Sequence, residues 1–438
     1  MNILMMSNTY KPIVGGLERS IEILVTEFRR RGHQVMLVSP EMKGAPEEEG
    51  VFRIPAIQHF NGTDFSVELP VPMGLSAELN KFNPDIVHSH HPFLIGDTAL
   101  RVASKFNVPI VFTYHTLYEE YIHYVPGNNA LIKKFVIELA KGYCELCDHV
   151  IAPSDSVAAL LKSRGVKTSI SVIPSGIYFY DYMSLEPRRS PLLSGIPENA
   201  FIVGTAGRIA PEKNIDFLTA TMIAFLKRQP QAYFMVIGDG PLLKEVEKRF
   251  INAGLSNRFI ATGTLTGGEL ASGYRSLDAF VFASHSETQG LVVVEAMSSG
   301  VPVVAIDASG VREVVKDRKN GRLIAGDDER EFVAALEWVM GLSEDEKNRI
   351  KAGAREKGRE FSIDLSVEKI LTLFSDILLC EKKICDLNDN LWRRSARLIK
   401  TEKNIMVNLS RATGGALHEF PRKLLESVRE KAKEKTKN

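Results

Sequence analysis

Cysteine and tryptophan are scarce, with four and two in 438 residues. So few cysteines in so long a chain do not make a disulfide framework. No run of about 18 apolar residues occurs, which excludes a membrane-spanning helix on this reading. The opening stretch MNILMMSNTYKPIVGG has neither a basic leader nor a cleavage site. No secretory signal is therefore read, and cytoplasm is the expected compartment. An excess of one charge is missing too: 55 Lys and Arg face 54 Asp and Glu, for a net +1. That balance argues against a globally basic nucleic-acid binder. What the chain does have is 44% hydrophobic and 25% charged residues, enough to bury a sizeable core and to exclude wholesale disorder. Its length suits two or three domains.

Short apolar runs alternate with helical patterns through the first half. Strands are expected at Asn2 to Met6, Gln34 to Val38, Asp85 to His88, Pro109 to Phe112, His149 to Ala152 and Ser171 to Ile173. Helices are expected at Gly16 to Arg31, after Pro92, at Asn128 to Cys147 and from Asp155. This rhythm is that of parallel βαβ units whose strands are buried on both faces. Pro174-Ser175-Gly176 punctuates it, and Ile177 to Asn199, with Pro187, Pro191, Gly195 and Pro197, reads as a connection. The rhythm then restarts, with strands at Phe201 to Ala206, Ala232 to Ile237, Phe259 to Ala261, Ala279 to Phe282 and Val301 to Ala305. Helices at Asn214 to Arg228, Pro241 to Asn252 and Gly290 to Ser299 separate them. The fold class expected is α/β, two Rossmann-like doubly wound domains facing across a cleft. The expected domains are residues 1–180 and 195–360, followed by a helix over 361–380 and a tail over 381–438. In such sheets ligands bind beyond the carboxyl ends of the strands.

The tail differs electrostatically from the rest. It carries 15 Lys and Arg against 8 Asp and Glu, a local +7, which leaves −6 for residues 1–380. Trp392, Leu398, Ile399, Ile405 and Leu409 interleave with Arg393, Arg394, Arg397, Lys400 and Lys403. One reading is a basic amphipathic helix on an anionic membrane; the other is a solvated extension.

Three elements carry chemistry. Gly15-Gly16 follows the first strand and opens a helix, which suits either a close-approach phosphate site or a plain tight turn. No G-x-G-x-x-G is present, so the dinucleotide fingerprint, and with it an oxidoreductase, is disfavoured. In S-E-T-Q-G-L-V-V-V-E-A-M-S-S-G, Glu287 precedes a helix start and Glu295 follows it. The amides of Gly290, Leu291 and Val292 suit a diphosphate, and the flanking carboxylates suit hydroxyls. The bland alternative makes Glu287 a helix cap and Glu295 an exposed helical residue. In G-R-I-A-P-E-K-N, Arg208 and Lys213 end the first strand of the second domain, where two cations would stabilise a departing diphosphate.

Together the E-x7-E pair Glu287/Glu295, the G-R-x4-K run Gly207 to Lys213, the Gly15-Gly16 loop and the histidines at strand ends resemble glycosyltransferase family 4, retaining enzymes of the GT-B fold. The likeness spans roughly residues 1–380. It implies a nucleotide-diphosphate sugar held mainly by the second domain, no cofactor or metal, and a last helix crossing back to the first. It further implies Arg208 and Lys213 as the diphosphate clamp, Glu287 on sugar hydroxyls and Glu295 on ribose hydroxyls. Phosphate would meet the amides following Gly290. The base would meet the backbone of Thr262 to Leu265, Thr264 and Leu265 included, and His115 would stand against the reacting sugar. One departure is Gln289, where many members carry an aromatic residue.

His88, His90 and His91 invite a metal reading, but no carboxylate or cysteine completes a ligand set, and hydrogen bonding at strand ends is the plainer role. Cys144 and Cys147 lie within a helical pattern and read as core. The aromatic stretch Tyr114 to Tyr124, with Lys133 and Lys134 beside Phe135, Val136 and Ile137, resembles the subset of the family that glycosylates membrane lipids such as diacylglycerol. The same residues also suit a buried helix with a charged face. Expected partners are thus a nucleotide-sugar donor and an anionic membrane surface, reached peripherally from the cytoplasmic side, with no nucleic acid. Transfer to a soluble acceptor and non-catalytic nucleotide-sugar binding are the competing functions.

Overall fold

The run Asn2–Met6 forms β1, and Ile3, Leu4, Met5 and Met6 in it are completely buried. A central parallel strand demands this, because helices cover both of its faces. The computed structural model describes residues 1–57, 67–68, 73–120, 129–183, 193–285, 287–382 and 396–414. Pro187, Pro191, Tyr121 to Tyr124, Trp392, Arg393 and Arg394 lie outside these residues.

After β1 come α1 (Gly16–Arg30), β2 (Gln34–Pro40) and β3 (Val51–Ile54). A small antiparallel ribbon of β4 (Ala56–Ile57) and β5 (Val67–Glu68) precedes α2 (Met73–Phe82). Then follow β6 (Ile86–Ser89), α3 (Ile95–Phe106), β7 (Ile110–Thr113), α4 (Asn129–Leu146), β8 (His149–Ala152), α5 (Asp155–Ser163) and β9 (Ile170–Val172). They complete a seven-stranded sheet ordered β3-β2-β1-β6-β7-β8-β9. A one-turn helix, α6 (Phe179–Tyr182), leads to the second half.

There β10 (Phe201–Ala206), α7 (Ile215–Arg228), β11 (Ala232–Ile237), α8 (Leu243–Asn252), β12 (Phe259–Gly263) and α9 (Gly267–Arg275) wind one way. β13 (Ala279–Phe282), α10 (Leu291–Ser298), β14 (Val303–Ile306) and β15 (Gly321–Ile324) wind the other, giving a six-stranded sheet ordered β12-β11-β10-β13-β14-β15. Helices α11 (Glu329–Met340), α12 (Glu344–Arg359) and α13 (Ile363–Lys382) follow. Every strand pair in the two large sheets is parallel. Strand order reverses between β1 and β6 and again between β10 and β13. Those reversals are the crevices where ligands bind in open α/β sheets.

Several expected boundaries move by one or two residues, and one of these shifts has a plain cause. The strand expected at Val301 to Ala305 begins at Val303, because Pro302 has no N–H for the ladder and contributes only its carbonyl, which accepts from Phe280.

Helix α13 packs on the first half. Ile363, Val367, Ile370 and Phe374 join a core with Ile21, Leu24 and Phe28 of α1, and Arg31 bridges Glu27 and Asp364. Part of the tail packs on the first half. Residues 396–414 form a helix, α14, docked on α3 and α4 of the first half. Arg101 forks onto Glu402 at 2.5 and 3.1 Å, and Asn408 Nδ2 donates to the Leu139 carbonyl. Ile405 packs on the first-half core and Ala412 is fully buried. Ile405, expected on a membrane face, thus points inward. Ile399, Met406 and Leu409 remain 69%, 70% and 50% exposed.

Candidate functional site

The loops after β10 and β13 meet at the second reversal. Gly207 takes φ +123°, a conformation other residues rarely adopt, and Arg208 follows it. A one-turn 3₁₀ segment, Pro211–Lys213, then brings Lys213 back. Its Nζ lies 2.5 Å from Glu287 Oε1, with the two side chains only 24% and 13% exposed. Arg208 and Lys213 line one small cavity with Phe282 and Ala283. Glu287 does not cap α10. The cap position is Gly290, at φ +71° and with no side-chain cap bond, so no cap side chain meets the first two amides of α10, those of Leu291 and Val292, while those of Val293 and Val294 turn to the Gly290 carbonyl.

Glu295 is not an exposed helical residue either, being 3% exposed. Its Oε1 lies 2.8 Å from Arg19 Nη1 of α1, and its Oε2 accepts from the Tyr274 hydroxyl of α9 at 2.8 Å. Arg19 Nη2 also donates to the Tyr182 hydroxyl, and the rings of Tyr182 and Tyr274 stand edge to face. Burial works against the Arg19 charge, yet Glu295 and Tyr182 more than offset it and hold the guanidinium above its ordinary range. Beside it, burial raises the Glu18 carboxyl, a shift opposed by a hydrogen bond from Thr9 and by the charge of Arg208. Arg19, Glu18 and Tyr274 were missed in the sequence. The available signal was a pair of charged residues directly after Gly15-Gly16, in the first turn of a helix whose buried side also holds Ser20 and Glu27.

The Gly15-Gly16 loop itself touches the second half. A Cβ on Gly15 would come within 2.4 Å of Glu18 Oε2, and one on Gly16 would rest 3.6 Å from Leu291 at the start of α10. Gln289 turns away from the site. Its amide donates to the Ser175 carbonyl at 2.8 Å and accepts from the Ser175 N–H at 2.7 Å, pinning the connection between halves as a peptide group would. Thr288 Oγ1 donates to the His115 carbonyl, and Ser156 N–H donates to Glu313 at 2.7 Å. Thr262 is the penultimate residue of β12, while Thr264 and Leu265 lie in the loop between β12 and α9, on the far side of the sheet from β13.

Across the cleft the first half presents imidazoles. His115 Nε2 and His90 Nδ1 are 2.9 Å apart with stacked rings, His88 Nε2 meets Thr113 Oγ1 at 2.7 Å, and His91 Nδ1 accepts from the Asn8 N–H. Burial pushes His88 and His91 down to about 3 and lowers His90 and His115 well below the usual range. At neutral pH these rings are uncharged. Among the described residues no group of three His, Cys, Asp or Glu is arranged to hold a metal ion. Cys144 and Cys147 are free and buried in the first-half core. On α4, residues 131–139 are all half-buried, and Lys133 pairs with Glu120 at 2.9 Å.

Comparison with known proteins places this arrangement. A profile of Glycosyltransferase Family 4 matches residues 14–178, and one of glycosyl transferases group 1 matches residues 193–357. An alpha-monoglucosyldiacylglycerol synthase of Streptococcus pneumoniae is 31% identical over 337 residues, 75% of this chain and 76% of that protein. One of Acholeplasma laidlawii is 30% identical over 337 residues, 73% of this chain and 84% of its own length. The crystal structure of Anabaena HepE in complex with UDP and glucose shares the fold, with a TM-score of 0.67 at 20% identity over 86% of this chain and 99% of that one.

Proposed function

The chain belongs to glycosyltransferase family 4, and from that premise we propose that it moves a hexose from a nucleoside diphosphate sugar to a hydroxyl of a membrane lipid such as diacylglycerol, with retention at the anomeric carbon. The observation that carries the donor half is the Lys213–Glu287 pair beside Arg208 and the opening of α10, at the strand reversal of the second sheet. The lipid half is supported by two relatives named alpha-monoglucosyldiacylglycerol synthase. UDP-glucose is the first donor to try, given the UDP and glucose in the HepE complex.

The chemistry needs no covalent nucleophile. The bond from the anomeric carbon to the phosphate oxygen breaks, the acceptor oxygen bonds to the same face, and its proton passes to the leaving phosphate. Arg208 and Lys213 offset the charge gathering on that phosphate, worth a few kcal/mol per well-placed donor at about the scale of an oxyanion-hole group. Glu287 orients sugar hydroxyls, Glu295 accepts from ribose hydroxyls, and His115 stands against the sugar as a neutral hydrogen-bonding ring. No metal is required.

Membrane association is peripheral in this reading. Among the described residues no helix is long and apolar enough to cross a bilayer. The outward residues Ile399 and Met406, beside Lys400 and Lys403, suit an anionic interface.

The test supplies the purified full chain with UDP-glucose or GDP-mannose, and with diacylglycerol in anionic vesicles or a soluble saccharide. Label in the lipid fraction is expected. Transfer only to the saccharide favours the soluble-acceptor reading, and donor binding without transfer or hydrolysis makes the chain a nucleotide-sugar sensor. Truncation after Cys380 should lower vesicle sedimentation while donor hydrolysis persists; unchanged sedimentation removes α14 from the membrane reading.

A further inference from the structure

We propose that Arg19 is a positioning residue for the donor site: reaching from α1 of the first half, it fixes the Glu295 carboxylate of the second half for the donor's ribose hydroxyls only while the two halves are together. This rests on the reading above that Glu295 receives those hydroxyls.

A carboxylate as buried as Glu295 needs partners to stay ionised and oriented. It has one on each oxygen, and they come from different places. Tyr274 belongs to the same half and remains with Glu295 however the halves move. Arg19 belongs to the other half, so its bond exists only in the closed arrangement. A carboxylate offers about four acceptor positions. With Arg19 and Tyr274 on one oxygen each and the Tyr182 hydroxyl also directed at the carboxylate, about one acceptor position remains for an incoming hydroxyl.

Arg19 is itself held in place. One nitrogen points to Glu295 and the other to the Tyr182 hydroxyl, with the guanidinium 5.9 Å from the centre of the Tyr182 ring. Tyr182 lies in α6, on the connection between halves, and its ring meets that of Tyr274. The guanidinium fork satisfies two partners at fixed angles, which a lysine ammonium on a flexible stem does less well. A Cβ on Gly16 would rest against Leu291, so the first turn of α1 lies beside the beginning of α10, which brings Arg19 to this spot. Closure and preparation of the ribose acceptor are thus one event.

The experiment measures steady-state kinetics and calorimetric binding with UDP-glucose and GDP-mannose for Arg19→Ala and Arg19→Lys, each alone and with Glu295→Gln. Arg19→Ala should raise the donor KM about tenfold or more while kcat changes less than about threefold, with Arg19→Lys in between. In the Glu295→Gln background the same change should add less than about twofold, because the partner it positions is no longer ionic. An unchanged KM in Arg19→Ala overturns the inference, as does an equal rise in both backgrounds. Should Arg19→Ala fail to fold, Arg19→Lys carries the comparison, and wild-type KM in it overturns the inference equally. A wild-type chain that binds neither sugar nucleotide fails the functional reading and takes this inference with it. Normal donor binding with indifferent Arg19 variants fails the inference alone.

Discussion

The two halves are both doubly wound parallel sheets, of seven and six strands, and dress their facing edges in opposite ways. The second sheet ends in ions: Arg208, Lys213, Glu287 and Glu295, the last three in close pairs. The first sheet ends in imidazoles that burial keeps neutral, with His88 and His91 pushed down to about 3. A wall of fixed opposite charges suits a ligand that is anionic at one end and rich in hydroxyls at the other. A neutral wall suits the uncharged sugar and its acceptor. The first half contributes ions to the cleft chiefly through Glu18 and Arg19, each facing a charge of the opposite sign across the seam.

The largest effect is expected where the ionic wall is cut. Lys213→Ala leaves Glu287 without its cation, and Glu287→Ala does the converse. Either should cost at least about 2 kcal/mol, roughly 30-fold in kcat/KM, and up to about 4 kcal/mol if the group acts chiefly on the departing charge. The double variant should cost less than the two losses added, since they share one contact. Near-wild-type kinetics in both single variants would leave the ionic wall without a catalytic purpose.

The neutral wall is broken by acid. His88 and His91 bind a proton near 6.5 when unfolded and only near 3 when folded. Between those values the unfolded chain holds more protons, so stability falls as pH is lowered through 6.5 toward 3 and is fully present above 6.5. Each imidazole contributes up to about 1.4 kcal/mol per pH unit in that window, so the pair approaches about 2–3. Thermal melts from pH 8 to 5 measure it. His91→Gln, which keeps an acceptor for the Asn8 N–H, should flatten the acid side and leave pH 8 unchanged. Parallel curves for variant and wild type would show that the imidazoles are not the groups responsible.

The contrast between halves also explains what the sequence made legible. Buried parallel strands are continuous apolar runs, so β8, β10, β11 and β13 could be read to the residue. Strand β15 could not, because it is a short edge strand, GRLI, whose apolar run is broken by an arginine that pairs with Asp317 and lies over the Trp338 ring. Its Gly321 is needed because a Cβ there would sit 2.0 Å from the Val303 carbonyl. Helix α12, EDEKNRIKAGAREKGR, hid behind its charges, although Ser343 and Glu346 form a full capping box at its start. Motif spacing picked out Lys213 and Glu287 because each sits at a strand end. It passed over Arg19, whose partner lies in the other half of the chain, and such a pairing has no periodicity to betray it. The tail's charge was read correctly as distinct, but composition alone could not show that Asn408 fits the space that Gly142 leaves on α4, where a Cβ would clash with it at 1.7 Å.

The seam between the halves offers the smallest and most specific test. Gln289 is the position where an aromatic residue would be expected, and here its amide makes two hydrogen bonds to the Ser175 backbone. Gln289→Met keeps the volume and removes both bonds, leaving an N–H and a carbonyl on the connection for water to satisfy. A loss of about 1–2 kcal/mol in stability is expected, the net value of two such bonds, read as a lowered melting midpoint. Gln289→Glu sharpens the point, because its carboxylate can still accept from the Ser175 N–H but repels the Ser175 carbonyl, so it should melt below Gln289→Met. If Gln289 instead served the donor site directly, both variants would raise the donor KM as strongly as Arg19→Ala while melting like wild type, and the division between an ionic wall and a separately pinned seam would collapse.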